Sequence, residues 1–306
     1  MIHAISGDVE FIQAIVNSRF NGFIHSIFDK AVNIKCRKTG DLYTLACNRL
    51  DNGPNSLVIN INIFSDSHFE LTDNVFTNKN SLFIEDKMAI SLNDIRRWEC
   101  LLPSYPINDT RLRKNLIIIK SQIEEFGKCG GMKRNLHAKN PFEIEMANML
   151  KERADSLLCS LVNNNVADAL CHANGLIGLG PGLTPSGDDF LTGLMATFNL
   201  PNCPCLSFRS FNENVVTSAQ SLTNDISYMT LKMASVGRVR ESIVTLLHLA
   251  LNGEKDHLIS ALHEVLKIGS SSGTDIALGL VSGLEVNLIR KAQAPCSAAY
   301  GLERSN

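Results

Sequence analysis

No uninterrupted apolar run in this 306-residue chain comes near the roughly 20 residues that a bilayer-spanning helix needs, so a helical membrane protein is excluded. The N-terminus, MIHAISGDVEFIQ, has no basic stretch leading into an apolar segment and a small-residue cleavage site, and a soluble, cytoplasmic protein is expected. Charge is nearly balanced, with 29 Lys and Arg against 31 Asp and Glu. Nothing in that balance attracts a phosphate backbone, so nucleic acid is not an expected partner. The nine cysteines form an odd set without regular spacing, as expected of reduced thiols and not of a disulfide framework. The lone Cys203-x-Cys205 pair has no second Cys or His pair at zinc-site spacing, and no metal is assigned to it. The phosphate-binding P-loop, the dinucleotide fingerprint after a strand, the Gly-x-Ser-x-Gly elbow and the His-Glu-x-x-His motif are all absent, which leaves the familiar catalytic classes without support.

What the chain does have is a repeat of its own most constrained segment. Residues 176–194 read LIGLGPGLTPSGDDFLTGL, and residues 268–280 read IGSSSGTDIALGL. Ser186-Gly187-Asp188-Asp189 aligns with Ser272-Gly273-Thr274-Asp275, and Gly193-Leu194 aligns with Gly279-Leu280. Each copy is a glycine-rich loop entering an amphipathic helix. The two helix starts are therefore expected to direct backbone N–H groups at one shared anion or carbonyl site.

Around this repeat the expected fold class is α+β. Between Gly22 and Ile90, short runs such as AVNIKC, LYTLAC and SLVINI alternate with turn signals KTGD, DNGPN and TNKN, which predicts a small antiparallel β sheet or barrel. Residues 8–18 have helical spacing and suit a helix across one end of that sheet. RLRKNLIIIKSQIEEF reads as helical, and the basic, glycine-containing GKCGGMKRN after it reads as a linker. From Pro141 the apolar spacing becomes helical throughout. The division is a β-rich N-terminal domain over 1–139, an all-helical domain with the two glycine-rich repeats over 140–290, and a tail over 291–306.

The chemistry concentrates in the loops. Ser186 with Asp189, and Ser272 with Asp275, have capping-box spacing, worth about 1 kcal/mol each. Capping does not require the glycines of the first loop, Gly178, Gly180, Gly182 and Gly187, nor Gly269 and Gly273 of the second. Gly193 with Thr197, and Gly279 with Gly283, lie four apart and leave smooth grooves, so the repeat helices are expected to pack directly together. Asp188 has no carboxylate counterpart in the second copy, where Thr274 stands, and it is the leading catalytic candidate together with Asp189. Two carboxylates at the first helix start oppose a bare phosphate there. Three occupants fit better: a Mg²⁺-bound anion, an amide or carbamoyl NH₂ donating to the aspartate, or a substrate held by backbone N–H groups with Asp188 as base. The expected binding residues are Gly180, Gly182, Thr184, Ser186, Gly187, Ser271, Ser272, Gly273 and Asp275, joined by Asn224 and Ser227 from the polar helix start LTNDISY. No cofactor is assigned, and Mg²⁺ stays open.

The run Gly178-Leu179-Gly180-Pro181-Gly182-Leu183-Thr184-Pro185-Ser186-Gly187-Asp188-Asp189-Phe190-Leu191 resembles the signature of the AllH family. The segments around Ile226-Ser227-Tyr228 and Ile268 to Asp275 are similar to the same family's pattern, so the resemblance spans about residues 140–285. The N-terminal half carries no motif that can be matched residue by residue. The resemblance implies one subunit of an oxamate carbamoyltransferase in allantoin breakdown, converting oxalurate and phosphate to oxamate and carbamoyl phosphate together with partner subunits. The alternatives are a non-catalytic assembly subunit, and a free-standing carboxylase-like or ligand-sensing protein.

Overall fold

The computed structural model describes residues 1–17 and 19–293. Its N-terminal part is a closed β barrel and its C-terminal part is helical. The barrel strands are β1 (Ile2–Asp8), β2 (Asn21–Ile27), β3 (Ala31–Cys36), β4 (Leu42–Ala46), β5 (Ser56–Ile59), β6 (Asn74–Asn78), β7 (Ser81–Ile84) and β8 (Met88–Ser91). They run β5-β4-β3-β2-β6-β7-β8-β1, and the pairing of β1 back onto β5 closes the ring; β9 (Arg96–Trp98) adds to the open side of β1. Helix α1 (Val9–Val16) lies across the barrel between β5 and the β6–β7 pair. Its Phe11, Ile12 and Ile15 join Ile24, Ile34, Leu45, Leu57 and Leu82 in the interior.

The pairing is not wholly antiparallel, as the turn signals had suggested. β4–β5, β1–β8 and β1–β9 are parallel. Residues 47–55, which include the DNGPN signal, make the crossover that a parallel pair needs instead of a tight hairpin. The closing strand β1 was not among the expected strands, because its inward positions are the small Ala4 and Ser6 instead of β-branched residues. Gly7 belongs there for a steric reason: a Cβ on it would lie 2.4 Å from the Leu57 side chain.

The helical part comprises α2 (Thr110–Phe126), α3 (Pro141–Val162), α4 (Val166–Leu176), α5 (Ser186–Phe198), α6 (Arg209–Leu222), α7 (Asp225–Ser235), α8 (Glu241–Asn252), α9 (Lys255–Leu266) and α10 (Ser272–Gln293), with one 3-10 turn before α6. Helix α2 precedes residue 140, yet its Leu112, Leu116, Ile119 and Ile123 pack in the helical core against α8, α9 and α10. Helix α10 continues through Gln293, three residues into the expected tail; residues 294–306 lie outside the described residues.

At the centre lie α5 and α10, side by side and parallel. A Cβ on Gly193 would sit 2.1 Å from the Ile276 carbonyl oxygen, and one on Gly279 would sit 2.0 Å from the Phe190 carbonyl oxygen. Phe190 and Ile276 are themselves aligned positions of the repeat, so each glycine receives the backbone of the other helix. One turn on, Gly283 meets the Thr197 hydroxyl at its equivalent 2.1 Å. The sequence repeat is thus a pseudo-twofold pair in space. The barrel is tied to this core by ion pairs: Arg238 to Asp8 (2.7 Å) and Glu10 (2.6 Å), Lys35 to Asp225 (2.5 Å), Lys232 to Asp41 (2.5 Å), and Arg240 to Asp51.

Helix propensity alone favours Ala over Gly by about 0.5–1 kcal/mol, but a methyl group at residue 279 forces two backbones apart. Gly279→Ala is therefore expected to destabilise by at least about 2 kcal/mol, read as a lower urea midpoint. A midpoint equal to or above wild type would contradict this packing.

Candidate functional site

Because α5 and α10 start level with each other, the two Ser-x-x-Asp segments meet. The expected capping boxes do not form. Pro185, not Ser186, is the cap of α5, and its carbonyl accepts from the Asp188 and Asp189 amides; the Ser271 carbonyl does the same for Thr274 and Asp275. Each serine therefore sits one residue inside its helix, where its hydroxyl faces the neighbouring helix. Thr184 Oγ1 donates to Asp189 Oδ2 at 2.9 Å and lies 3.0 Å from Ser272 Oγ, while Ser272 also holds the Asp189 carboxylate. On the opposite side Ser186 and Ser271 lie beside Asp275, whose Oδ1 accepts the Met132 amide at 2.8 Å. The acid of each copy thus turns towards the serine of the other.

Both acids are buried, Asp189 at 4% exposure and Asp275 at 0%. Burial pushes the Asp189 carboxyl up to about 7 against the opposing hydrogen bonds of Ser272 and Thr184, and the nearby charges of Asp275 and Asp188 raise it further. Burial likewise brings Asp275 to about 6, opposed by the Met132 amide and the Ser186 and Ser271 hydroxyls. Ser186 Oγ and Asp275 Oδ2 are buried with no well-formed hydrogen bond among the described residues. Such orphaned polar atoms are uncommon in protein interiors, and here two lie next to each other beneath Gly131.

Asp188, adjacent in sequence, points elsewhere. Its Oδ1 accepts the Gly178 amide at 2.8 Å and its Oδ2 the Thr223 hydroxyl at 2.5 Å, with Ser227 alongside. Burial raises its pKa, and these three donors oppose the rise. Asn224 caps α7 by accepting from the Ile226 and Ser227 amides and donates to the Leu183 carbonyl at 2.8 Å. Asp188, Asn224 and Ser227 therefore clamp the first loop to α7, while Thr184, Ser186, Asp189, Ser271, Ser272 and Asp275 form the paired cluster. Gly187 and Gly273 take the close approach of the Leu176 and Val265 carbonyls at the ends of α4 and α9. Gly180, at φ +114, turns the first loop over Ser186, and Gly182 lies at its exposed tip. The Gly187 and Gly273 amides are bonded to the Leu179 and Ile268 carbonyls, so much of the expected N–H cradle is already occupied by the chain itself.

The sequence reading missed the third wall of this cluster, residues 128–133, within the segment read as a linker. The Lys128 amide donates to Thr274 Oγ1 at 2.8 Å and its ammonium to the Gly269 carbonyl at 2.8 Å. Gly131 lies flat over Asp275 and Ser186: a Cβ there would be 2.3 Å from the Asp275 carboxylate and 2.6 Å from Ser186 Oγ. The adjacent Gly130-Gly131 was the available signal: Gly130 takes a positive φ, and Gly131 takes the close approach.

Two cavities flank this centre. One of about 110 Å³ lies on the other side of the Gly130-Gly131 segment, against Phe142, Met146 and Pro181. The other, of about 240 Å³, lies between barrel and helices. Neither is lined by a residue singled out as a site from the sequence. Among the described residues no three His, Cys, Asp or Glu side chains converge as a metal site would require. Cys203 and Cys205 are buried thiols pushed up to about 11 and about 12 by desolvation.

A closed barrel joined to a helical core, with a buried acid pair at two parallel helix starts, defines a two-part α+β protein built on an internal repeat. The chain belongs to the AllH family. The family model described as oxamate carbamoyltransferase subunit AllH matches residues 176–284, from the first glycine loop into α10, and the AllH family N-terminal domain matches residues 3–97, which are the barrel and β9. No solved structure matches the chain.

A carboxyl whose folded pKa is raised keeps its proton at pH values where the unfolded chain has lost it, so it adds stability at low pH that disappears as pH rises through the folded value. For Asp189 and Asp275 that window runs from the ordinary 3.8 to about 7 and about 6. Asp189→Asn, which removes one ionisation, is expected to lose less stability than wild type between pH 5 and pH 8, and to exceed it at pH 8 by about 1 kcal/mol or more. Parallel Tm-against-pH curves for the two proteins would show that Asp189 does not titrate in this way.

Proposed function

We propose that this chain is a working subunit of an oxamate carbamoyltransferase, acting with partner subunits in cytoplasmic allantoin catabolism to convert oxalurate and phosphate into oxamate and carbamoyl phosphate. The observation that carries the reading is the buried acid pair, Asp189 and Asp275, beside the orphaned Ser186 hydroxyl. In this reaction a phosphate oxygen bonds to the ureido carbonyl carbon, the bond from that carbon to the oxamate nitrogen breaks, and the departing nitrogen takes a proton. A carboxyl pushed up by burial to about 7 holds its proton far closer to neutral pH than an exposed aspartate does and is suited to donate it. In this reading Asp189 donates that proton, and Asp275 with Ser186 holds the substrate amide. Asp275 Oδ2, an acceptor with no well-formed hydrogen bond, suits an amide NH₂. Asp188 acts as a positioning residue through the loop clamp. Access requires the segment 128–133 to lift from Asp275. Mg²⁺, if it takes part, arrives with the phosphate and not on a ready-made carboxylate cage.

A second reading, an assembly subunit without chemistry of its own, is favoured by one specific observation: the helix-packing glycines Gly187, Gly193, Gly273, Gly279 and Gly283 each have a close steric neighbour that explains them. The two readings separate in the reconstituted complex. Under the first, Asp189→Asn lowers kcat by about 100-fold or more while the variant still co-purifies with its partners. Full activity in an assembled Asp189→Asn complex would leave only the assembly role.

A further inference from the structure

One cavity lies outside the acid cluster. It is the room of about 240 Å³ where the outer face of β3 and β4 meets α7 and α8. Alternation along the strands sends Val32, Ile34 and Leu45 into the barrel and leaves Ala31, Asn33, Leu42, Thr44 and Ala46 facing the helices. Met229, Met233 and Ile243 form the facing wall, and Thr192 of α5 with Ile276 of α10 forms the floor.

Every polar side chain on this lining has its partner within the protein. Thr44 donates to Asn33 Oδ1 at 2.8 Å, and Asn33 donates to Ser26 at 3.0 Å. Ser56 Oγ donates to the Gly53 carbonyl, Thr192 to the Asp188 carbonyl and Thr230 to the Ile226 carbonyl. The charged groups are matched as well: Arg240 is paired with Asp51, and Arg238 with Asp8 and Glu10. An anion entering here would lose its hydration and meet no free cation, whereas an apolar molecule would lose only unfavourable contact with water. Small-molecule sites also concentrate at the junctions of folded parts, in mostly apolar concavities.

We propose that this cavity is a binding site for a neutral, largely apolar small molecule, distinct from the acid cluster and from any carbamoyl or phosphate ligand. An apolar cavity of roughly 150 Å³ takes up a benzene ring, so this one has room for a substituted ring or a branched aliphatic molecule. Its occupant touches both barrel and helices and binds only their assembled form. Its floor residues lie close to the acids, since Ile276 follows Asp275 and Thr192 bonds back to Asp188. The proposal stands whether or not the chain carries out carbamoyl transfer.

Toluene and benzoate, alike in ring size and different in charge, provide the test on the full-length protein labelled with ¹³C at its methionine methyls. Toluene is expected to shift the Met229 and Met233 methyl resonances selectively in a saturable way and to raise Tm by at least about 2 °C at saturation. Benzoate is expected to do neither. Ala46→Phe, which fills the room from the barrel side, or Thr230→Leu should the first not fold, is expected to abolish the toluene shift. Unmoved Met229 and Met233 resonances in wild type, an equal response to benzoate, or an undiminished toluene shift in the folded cavity-filling variant would overturn the proposal.

Discussion

The contact on which the rest of this protein depends is the seating of one helix backbone on the glycines of another. Gly193 and Gly279 let α5 and α10 approach until each carbonyl ridge lies where a side chain would otherwise stand. At that separation the register between the helices is fixed, because any axial slip would drive a carbonyl into a Cβ. The helix starts are therefore level, and the segments that precede them are brought side by side. Gly187 and Gly273 extend the same device to the ends of α4 and α9. The outcome is a central unit in which the position of one loop determines that of the other.

This geometry explains why two neighbouring acids have separate fates. Successive residues of a helix project about 100° apart, so Asp188 faces α7 while Asp189 faces α10. Asp188 accepts from the Gly178 amide and the Thr223 hydroxyl and secures the first loop. Asp189 reaches the cluster shared with Asp275, where two opposing terms meet. A helix start favours a carboxylate by about 0.3–1 kcal/mol, and up to about 2 when partly buried. Loss of water disfavours it by more, since each unit of pKa rise corresponds to about 1.4 kcal/mol and Asp189 stands at about 7. Desolvation wins, and the pair keeps protons that exposed aspartates would have lost. Acids poised near neutrality recur at catalytic centres, and the family to which this chain belongs is named for a carbamoyltransferase subunit.

The barrel meets this centre through charge as well as shape. Asp8 ends β1 at 1% exposure, and its pKa is raised by burial while Arg238, from the segment between α7 and α8, opposes the rise. Removing Arg238 would leave the buried Asp8 carboxylate without its cation, a far larger cost than the loss of an exposed ion pair. Asp225, at the start of α7, receives Lys35 and His25 from the barrel next to Asn224, which holds the first loop. The barrel is thereby joined to the loop clamp through the first turn of a single helix.

Much of this was legible in the chain itself. The 3.6-residue spacing of apolar residues marked the chain from Pro141 onward as helical, as α3 to α10 are, because amphipathic periodicity is a local property that survives in any packing. The alternation between Gly22 and Ile90 marked out strands for the same reason, and the small residues four apart in both repeat helices, Gly193 with Thr197 and Gly279 with Gly283, marked a packing face. The sequence could not display which partner each group would take. Ser186 with Asp189 has the spacing of a cap, and only the one-residue placement of the serine inside its helix, set by Pro185 and by the neighbouring helix, turned each acid towards the other repeat. β1, with Ala4 and Ser6 facing inward, became a strand because the barrel required closure. Residues 128–133 became a wall of the acid cluster because α2 packs in the helical core and returns the chain to the start of α10. Local pattern determined the elements and the repeat; the choice of partners across the molecule was decided only by tertiary packing, since hydrogen bonds and desolvation depend on groups far apart in the chain.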